Sequence, residues 1–491
     1  MRKKKLGRLF ASVVLALGFG VTGGVFSTST NAHAEQTQFK DPALANIKNV
    51  ILLIGDGMGP NQVKAGEIFQ GAQSAINSMP HSTYSLTRSA NNMITDSAAG
   101  GTAIATGVRT NNGYVGIDTI GNSLTTIMDV ALQEGKRTGV VTTDILSGAT
   151  PMSFSAHCND RDNAAQLLSS AAQSGVNLFA ATSGASTLAF ENEGYTNVQN
   201  VDDISTSTSE YVIGSYNIKA SATSQSAETN SVAFDRVVRE SIEYLSQDKD
   251  GFVLMAEGAK IDKQCHSNNF FGMIEEMIAF DDAVQTAIDW AKDRNDTVVI
   301  VTADHETGGL SLESDITKEN MDVKHSWSST GHTPTNVYCN VYGTDVNFLR
   351  YSSTGSETEI KNTDIFKMMK TFVVGYQQAN ITVKNSTPSF GSVTLDKTEC
   401  FIGQTLQITL TPAQNYRIRS FKINGEERSD DLHNDGTLNY VIDAGEVELC
   451  VEFETAPSDS FGCSSAIGSG FSAITFGITA LVILINKKKE N

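Results

Sequence analysis

Continuous apolar runs, rather than alternating ones, dominate the first three quarters of the chain. Four of them end in acidic residues or histidine, and they read Val50-Ile-Leu-Leu-Ile-Gly-Asp56, Val140-Val-Thr-Thr-Asp144, Phe252-Val-Leu-Met-Ala-Glu257 and Val298-Val-Ile-Val-Thr-Ala-Asp304-His305. Runs rich in β-branched residues are typical of parallel strands buried on both faces, and ligands bind at the carboxyl ends of such strands. One acidic residue at a strand end more often caps the next helix. Four together favour a metal site.

The strand runs alternate with helical stretches from residue 35 to about residue 380. Two sets of apolar residues each fall on one helical stripe: Phe234, Val237, Val238, Ile242 and Leu245, and then Met273, Met277, Val284 and Ile288. This alternation predicts an α/β fold, with a mostly parallel central sheet and helices on both faces. The stretch 191–230 is rich in Ser, Thr and Asn, and we interpret it as a surface excursion without chemistry.

After Tyr376 the pattern changes to the two-residue alternation of half-buried strands. Leu406, Ile408 and Leu410 alternate with polar residues, and Asn424-Gly425 is a hairpin dipeptide. The sequence therefore predicts a small C-terminal all-β domain over residues 381–455, which resembles the β repeats of bacterial surface proteins. It contains Cys400 and Cys450, and the spacing leaves open whether these two cysteines pair or are free buried thiols.

Both ends of the chain carry targeting patterns. Residues 1–34 combine basic residues, an apolar stretch and a final Ala-His-Ala, which predicts a secretory signal peptide cleaved after Ala34. Residues 466–486 carry no charge and match the roughly 20 residues that span a bilayer, and the Lys-rich tail 487–491 would stay in the cytoplasm. We expect an exported protein on the extracellular face, anchored through this segment and joined to it by the linker 456–465. Whether the anchor is kept or processed, and what Cys463 does, is left open.

The charge balance excludes one class of partner. The formal net charge is −19, and removing residues 1–34 takes away five positive charges and no negative ones, which leaves −24. A body this acidic repels nucleic acid, so we expect no nucleic-acid binding. For the same reason, a phosphate site has to be built locally from metal ions, an arginine and helix N-termini.

Single residues allow more than one interpretation. Ser97 precedes the small, helix-forming stretch 98–103, where a serine is most often a helix N-cap. The same position also suits a nucleophile, because backbone N–H groups and the helix dipole favour a phosphate there. Asp262 and His266 are four residues apart, a spacing that suits either a zinc ion or a simple hydrogen bond along one helix face. His332 is a lone loop histidine.

Five motifs occur in order along the chain: Gly55-Asp-Gly-Met-Gly59, Asp96-Ser-Ala-Ala99, Ala149-Thr-Pro151 followed by Arg161, Glu257-Gly with Ile261-Asp-Lys-Gln264, and Thr302-Ala-Asp-His305. With this set the chain resembles the alkaline phosphatase family over most of residues 45–375. The resemblance implies that residues 35–380 form the catalytic domain of a hydrolase, which the targeting patterns at the two ends would make secreted or surface-anchored. It implies hydrolysis of a broad range of phosphate monoesters through a phosphoserine, which would serve phosphate scavenging.

The resemblance also implies a site with two Zn²⁺ and one Mg²⁺. One zinc would be held by Asp262, His266 and His332, the second by Asp56, Asp304 and His305 beside Ser97, and the magnesium by Thr150 and Glu257 with Asp56 as a bridge. These ligand types suit the two metals, because zinc accepts nitrogen and oxygen whereas magnesium takes oxygen. Arg161 would bind two phosphate oxygens as a fork, and Lys263 would contact the phosphate through water.

Two positions depart from the family pattern. Gly148 stands where relatives often have Asp or His near the magnesium, so we expect a weakened magnesium site. Gly100-Gly101 replaces bulkier residues of many relatives, which would loosen the start of the helix after Ser97.

Other functions fit parts of the sequence less well. Dinucleotide binding at residues 55–59 fails, because the spacing is not G-x-G-x-x-G and Asp56 would face a pyrophosphate. A metal-dependent phosphodiesterase with the same core is the main alternative, although Arg161 and the magnesium ligands favour dianionic monoesters. A non-catalytic surface-binding protein rests only on the β domain and the anchor. The physiological substrate and a possible homodimer are left open.

Overall fold

The computed structural model describes residues 47–219, 231–344, 346–375, 378–397, 400–401, 405–442 and 444–456. The predicted signal peptide at 1–34, the anchor at 466–486, the tail at 487–491, Cys463 and nearly all of the linker 456–465 lie outside these residues. Within the described part of the chain, no helix has both the length and the apolar character needed to cross a bilayer.

Strands and helices alternate through residue 375. The strands are β1 (Asn49–Gly55), β2 (His81–Leu86), β3 (Arg137–Ile145), β4 (Leu178–Thr182), β5 (Thr196–Val198), β6 (Val212–Lys219), β7 (Ser231–Ala233), β8 (Phe252–Gly258), β9 (Thr297–Thr302), β10 (Glu306–Thr307), β11 (Leu310–Leu312), β12 (His325–Trp327), β13 (His332–Thr333), β14 (Val337–Tyr342) and β15 (Glu359–Lys361). The helices are α1 (Pro60–Gln70), α2 (Ala75–Ser78), α3 (Ser97–Thr106), α4 (Ile127–Gln133), α5 (Ala149–Met152), α6 (Ala164–Ala172), α7 (Leu188–Asn192), α8 (Asp202–Thr206), α9 (Phe234–Leu245), α10 (Lys260–His266), α11 (Phe270–Ala291) and α12 (Asn362–Val374), with a 3₁₀ turn at Phe348–Arg350.

The large sheet has the order β15-β2-β14-β9-β1-β8-β3-β4-β6-β5, and β7 pairs with β6. Its neighbours run parallel except at β14, which is antiparallel to both β2 and β9. Alternate residues of β1 enter two different cores, since Leu52 belongs to the core that includes residues of α3 and α12 whereas Leu53 belongs to the core that includes residues of α9 and α11. Burial on both faces confirms the predicted α/β architecture and explains the continuous apolar runs.

The register of the central strands brings their acidic ends to one place. Ile54 of β1 lies opposite Glu257 of β8 and opposite Thr302 of β9, and Thr142 of β3 is the other neighbour of Glu257. Because these strands are parallel, the residues that follow them emerge at the same edge of the sheet. The fold thus supports the sequence argument for a shared polar site.

The interpretation of 191–230 as a surface excursion is wrong for its described part. β5 and β6 belong to the large sheet, and Val212, Ile213 and Ile218 of β6 are fully buried. The Ser- and Asn-rich composition concealed a strand whose apolar residues are separated by polar ones. The two predicted helical stripes, by contrast, are confirmed as the buried faces of α9 and α11.

The C-terminal segment forms the predicted all-β domain. Its strands are β16 (Gln378–Asn385), β17 (Gly391–Leu395), β18 (Cys400–Phe401), β19 (Thr405–Pro412), β20 (Tyr416–Ile423), β21 (Glu426–Glu427), β22 (Thr437–Val441) and β23 (Glu446–Thr455), with a 3₁₀ turn at Ser429–Asp431. They make two sheets, β18-β16-β23-β20-β21 and β17-β19-β22, around one apolar core. Asn424 and Gly425 both have positive φ and join β20 to β21 as the hairpin turn. Cys400 and Cys450 are free thiols.

Candidate metal and phosphate site

Ser97 is the first residue of α3, and its hydroxyl is not used to cap that helix. Asp96 is the N-cap instead, because its side chain accepts a hydrogen bond from the Ala99 amide at 2.9 Å. The capping interpretation of Ser97 is therefore wrong. The buried Ser97 Oγ lies 3.2 Å from His305 Nε2, which places a hydroxyl at the N-terminus of a helix and beside an imidazole.

Two carboxylates converge on the same imidazole nitrogen. His305 Nε2 lies 3.3 Å from Asp304 Oδ2 and 3.5 Å from Asp56 Oδ1. Both carboxylate oxygens are buried and accept no hydrogen bond from the described residues. Buried anionic oxygens without a partner are costly, so this arrangement fits a cation held between the three side chains.

Asp262, His266 and His332 form a second cluster. Asp262 lies 3.3 Å from His266 Nε2 and 3.7 Å from His332 Nε2, and these two nitrogens are only 3.2 Å apart. On the far side of each ring, Nδ1 contacts a backbone carbonyl: Thr330 O at 2.6 Å for His266 and Thr95 O at 2.8 Å for His332. Each Nδ1 therefore donates a proton in the neutral ring, which leaves two Nε2 lone pairs facing one another. Two imidazole nitrogens and a carboxylate could hold a metal ion, and such a donor set suits zinc.

Asp262 also reaches the first cluster. Ligating atoms of Asp56, Asp262 and His305 lie within 4.8 Å of one another, so Asp262 stands between the two candidate metal positions. All three residues are buried. The two sites predicted from the sequence are thus adjacent, and Asp262 borders both of them.

The residues predicted for the magnesium site offer oxygen ligands. Glu257 is fully buried and accepts a hydrogen bond from the Thr142 hydroxyl. The buried Thr150 hydroxyl lies at the start of α5 and is close enough to Glu257 to lower its pKa by hydrogen bonding, and Asp56 Oδ1 has no hydrogen-bond partner among the described residues. A set of carboxylate and hydroxyl oxygens matches the preference of Mg²⁺.

Crowding of carboxyl groups shifts their titration. Burial, reinforced by the charge of Asp144, raises the pKa of Glu257 to about 8, and burial together with Asp262 raises the pKa of Asp304 to about 7. Burial and the charge of Asp304 likewise raise the pKa of Asp56. These groups carry protons near neutral pH unless a cation takes their place.

Two basic residues stand at the rim. Arg161 is about one-third exposed, and its Nη1 lies 3.0 Å from Asp96 Oδ2, which also accepts a hydrogen bond from the Gly113 amide at 2.9 Å. Lys263 is half exposed and forms an ion pair with Asp144. Asp96 thus fixes both the start of α3 and the direction of the arginine fork.

The glycines after Ser97 allow close packing instead of loosening the helix. A Cβ on Gly100 would stand 3.0 Å from the carbonyl oxygen of Asp304, and one on Gly101 would stand 3.0 Å from Ser153 Oγ. Every residue of α3 is buried. Gly100 therefore lets α3 approach the loop that carries Asp304 and His305, and Gly101 lets it approach α5 and the residue that ends it, Ser153.

All eleven residues predicted for the site lie around this one edge of the sheet, and three of their neighbours had no role predicted from the sequence. Asp96 holds Arg161, Asp144 holds Lys263, and Thr307 contacts both Asp262 and His305. Asp96 and Asp144 stood inside quoted motifs. Thr307, two residues after His305, had no signal beyond that proximity.

Comparisons with known proteins agree with this geometry. The sequence profile of the family described as "Alkaline phosphatase" matches residues 47–183 and 186–387. Alkaline phosphatase 4 of Bacillus subtilis is 30% identical over 315 residues, which cover 60% of this chain and 68% of the relative. Alkaline phosphatase of Escherichia coli is 31% identical over 328 residues, covering 52% and 70%.

A solved structure shares the same fold. The alkaline phosphatase from the Antarctic bacterium TAB5 superposes with a TM-score of 0.59 at 27% identity, and the match covers 67% of this chain and 98% of that one. A variant of that enzyme, at 25% identity and a TM-score of 0.56 with coverage of 67% and 99%, is described with Mg bound in its M3 site.

Proposed function

The chain belongs to the alkaline phosphatase family and is a phosphatase, and from this premise we propose that it hydrolyses phosphate monoesters through a phosphoserine formed on Ser97. Two Zn²⁺ and one Mg²⁺ would complete the site. The proposal rests on one observation above all: one buried carboxylate oxygen each of Asp56 and Asp304 has no hydrogen-bond partner among the described residues, and both lie beside a nucleophile-bearing helix end.

The residues present fit these metal ions. Asp262, His266 and His332 would hold one zinc, Asp56, Asp304 and His305 the second, and Thr150 and Glu257 the magnesium, with Asp56 shared between the last two. When bound, the metal ions supply positive charge that lowers the pKa of a neighbouring hydroxyl and of water and neutralises phosphate oxygens. The relative with Mg in its M3 site supports the third ion.

Ser97 would attack the phosphorus of the monoester. Its Oγ is held within 3.2 Å of His305 Nε2, and it stands at the N-terminus of α3, where the helix dipole favours the negative phosphate. In the first step the serine oxygen forms a bond to phosphorus and the alcohol leaves. In the second step water displaces Ser97 and releases inorganic phosphate. Stereochemistry at phosphorus is retained, because two in-line displacements occur.

Arg161 would bind two non-bridging oxygens of the phosphate. Asp96 Oδ2 lies 3.0 Å from Nη1 of the Arg161 guanidinium, and this ion pair orients the guanidinium. Its other N–H groups would then bind the phosphate as a fork. A dianionic monoester offers such a fork more negative oxygens than a diester does. This favours the monoester over the phosphodiester alternative.

Phosphoryl transfer depends mainly on positioning and charge around the phosphate and little on the rest of the substrate. We propose a broad substrate range and a role in scavenging phosphate from organic esters outside the cell. Support for the location comes from the sequence of residues 1–34 and 466–486 alone.

Hydrolysis of a nitrophenyl phosphate monoester and of the matching diester tests the proposal. The protein is stripped with a chelator and restored first with zinc and then with magnesium, with Ser97→Ala as the nucleophile-free control. Monoester turnover that returns with zinc, rises with magnesium and is lost in Ser97→Ala is the expected result. Preference for the diester would select the phosphodiesterase alternative, and no turnover with any metal would overturn the catalytic proposal. A radiolabelled phosphate that stays on the wild-type protein after acid quenching, and is absent from Ser97→Ala, identifies the phosphoserine.

A further inference from the structure

Thr307 connects the two clusters that would hold zinc. Its Oγ lies 2.5 Å from Oδ1 of Asp262, which belongs to the cluster with His266 and His332, and 3.2 Å from Nδ1 of His305, which belongs to the cluster with Asp56 and Asp304. The residue is fully buried, so no bulk water competes for this hydroxyl. One hydroxyl group therefore contacts a residue from each site.

The backbone holds this hydroxyl in place. The Thr307 amide donates to Gly57 O at 3.1 Å, and its carbonyl accepts a hydrogen bond from Gln62 at 2.9 Å. In the β10–β13 pair, Thr307 stands opposite His332. Gly57 has φ +72, and a Cβ there would lie 3.0 Å from Thr307 Oγ, so the chain after Asp56 leaves space for the hydroxyl. Four segments of the site thus meet at Thr307.

A count of protons determines the direction of the hydrogen bonds. A hydroxyl has one proton to donate, and an ionised carboxylate such as Asp262 only accepts. Thr307 therefore donates to Asp262, and the contact with His305 requires the imidazole to donate its Nδ1 proton to Oγ. His305 is then the tautomer whose Nε2 carries the lone pair. That nitrogen faces Ser97, Asp56 and Asp304.

We propose that Thr307 is a positioning residue that couples the two zinc sites, because its hydroxyl sets the tautomer of His305 and the orientation of Asp262 at once. The inference rests on the proposed function for the identity of the metal. It differs from a simple packing role, since the essential feature is one hydroxyl group that accepts a hydrogen bond from His305 and donates one to Asp262. Loss of the hydroxyl would weaken the binding of both zinc ions together.

The tautomer can be read from the wild-type protein without any metal. The chain has 8 histidines, so selective ¹⁵N-histidine labelling gives few enough signals to assign, with His305→Gln identifying the resonance in question. The spectra are recorded on the metal-free protein at a pH at which the His305 imidazole is neutral. We expect the long-range ¹⁵N–¹H correlations of a ring that is protonated at Nδ1. A pattern of protonation at Nε2 would overturn the proposal.

Zinc affinity is the second readout. Thr307→Val keeps the shape of the side chain and removes the hydroxyl, whereas Thr307→Ser keeps the hydroxyl. Competition with a chromophoric chelator should show both zinc ions bound about 10- to 100-fold more weakly by Thr307→Val, with affinity restored by Thr307→Ser. Thr138→Val is the matched control. Thr138 is also fully buried, but it lies near the start of β3, at the end of the strand away from the metal and phosphate site.

The outcomes separate this inference from the proposed function. If wild-type protein binds no pair of zinc ions, the proposed metal content is wrong, while the tautomer measurement still tests Thr307. If wild-type protein binds two zinc ions and Thr307→Val binds them equally well, or loses only one, the coupling role is overturned. A thermal unfolding midpoint of metal-free Thr307→Val close to that of Thr138→Val shows that any affinity loss is not general destabilisation.

Discussion

Asp144 Oδ2 lies 3.0 Å from the point where a Cβ on Gly148 would stand. The same carboxylate forms the ion pair with Lys263, and its charge acts on Glu257. The absent side chain at position 148, which we expected to weaken the magnesium site, thus leaves room for a carboxylate from four residues earlier. A negatively charged group therefore lies beside position 148, but it is supplied by Asp144 rather than by a side chain at position 148.

Replacing Asp144 with Asn should therefore raise the magnesium requirement. The amide keeps the shape but loses the charge that holds Lys263, and we expect the Mg²⁺ concentration for half-maximal activity to rise about 10-fold at saturating zinc. A magnesium titration of monoester hydrolysis measures this. Glu134→Gln, which removes one charge from an exposed helix end, is the matched control. An unchanged magnesium requirement in Asp144→Asn would show that Asp144 only pairs with Lys263.

The Asp96–Arg161 pair predicts an effect on phosphate affinity. Asp96→Asn retains an oxygen that can cap α3, so the unfolding midpoint should change little, but the amide no longer balances the guanidinium. We expect inorganic phosphate to inhibit Arg161→Ser about 10-fold or more weakly, because the fork is lost, and Asp96→Asn to alter the inhibition constant in a stable protein. Competitive inhibition by inorganic phosphate measures both. Equal phosphate affinity in Arg161→Ser and wild type would contradict the assigned role.

Much of the fold follows from the sequence because its strongest signals are local. The apolar runs ending at Asp56 and Glu257 are buried on both faces, and short runs of this kind bounded by glycine are typical of central parallel strands. β6 was missed because its apolar residues are separated by polar ones within a Ser-rich stretch. Composition dominated over periodicity there.

For the site, residue types were readable but their contacts were not. His266 and His332 are 66 positions apart, and only the folded chain brings their Nε2 atoms to 3.2 Å. Thr307 likewise has no distinctive sequence pattern, since its role depends on facing Asp262 across the site. Hydrogen bonds between distant segments are set by tertiary packing, which a single sequence does not display.

The metal-free protein should lose stability as pH rises. Glu257 and Asp304 have pKa values raised to about 8 and about 7, mainly by burial, whereas carboxyl groups in the unfolded chain titrate near about 4. Between these limits the folded state binds more protons than the unfolded state, so the free energy of unfolding falls with increasing pH. Thermal unfolding of chelator-treated protein from about pH 5 to about pH 8 measures the trend.

Metal binding should remove this dependence, because cations replace the protons. The zinc- and magnesium-loaded protein is expected to show a flatter stability profile over the same range, and zinc binding near pH 7 should release protons into the buffer. Calorimetry in buffers of different ionisation enthalpy counts them. A metal-free protein that becomes more stable towards pH 8 would be incompatible with buried, protonated carboxyl groups at the site.

The close packing of α3 against the Asp304 loop gives the last prediction. Gly100 and Gly66 are both glycines inside helices, but an added Cβ meets Asp304 backbone at 3.0 Å in the first case and only Met277 at 3.7 Å in the second. Gly66→Ala should stabilise the protein by about 0.5–1 kcal/mol, as alanine favours the helix. Gly100→Ala should destabilise it by about 1–3 kcal/mol and reduce zinc affinity, because the loop carrying Asp304 and His305 has to move. Thermal unfolding and zinc competition of the two variants side by side test this, and equal behaviour would mean that the loop adapts without cost.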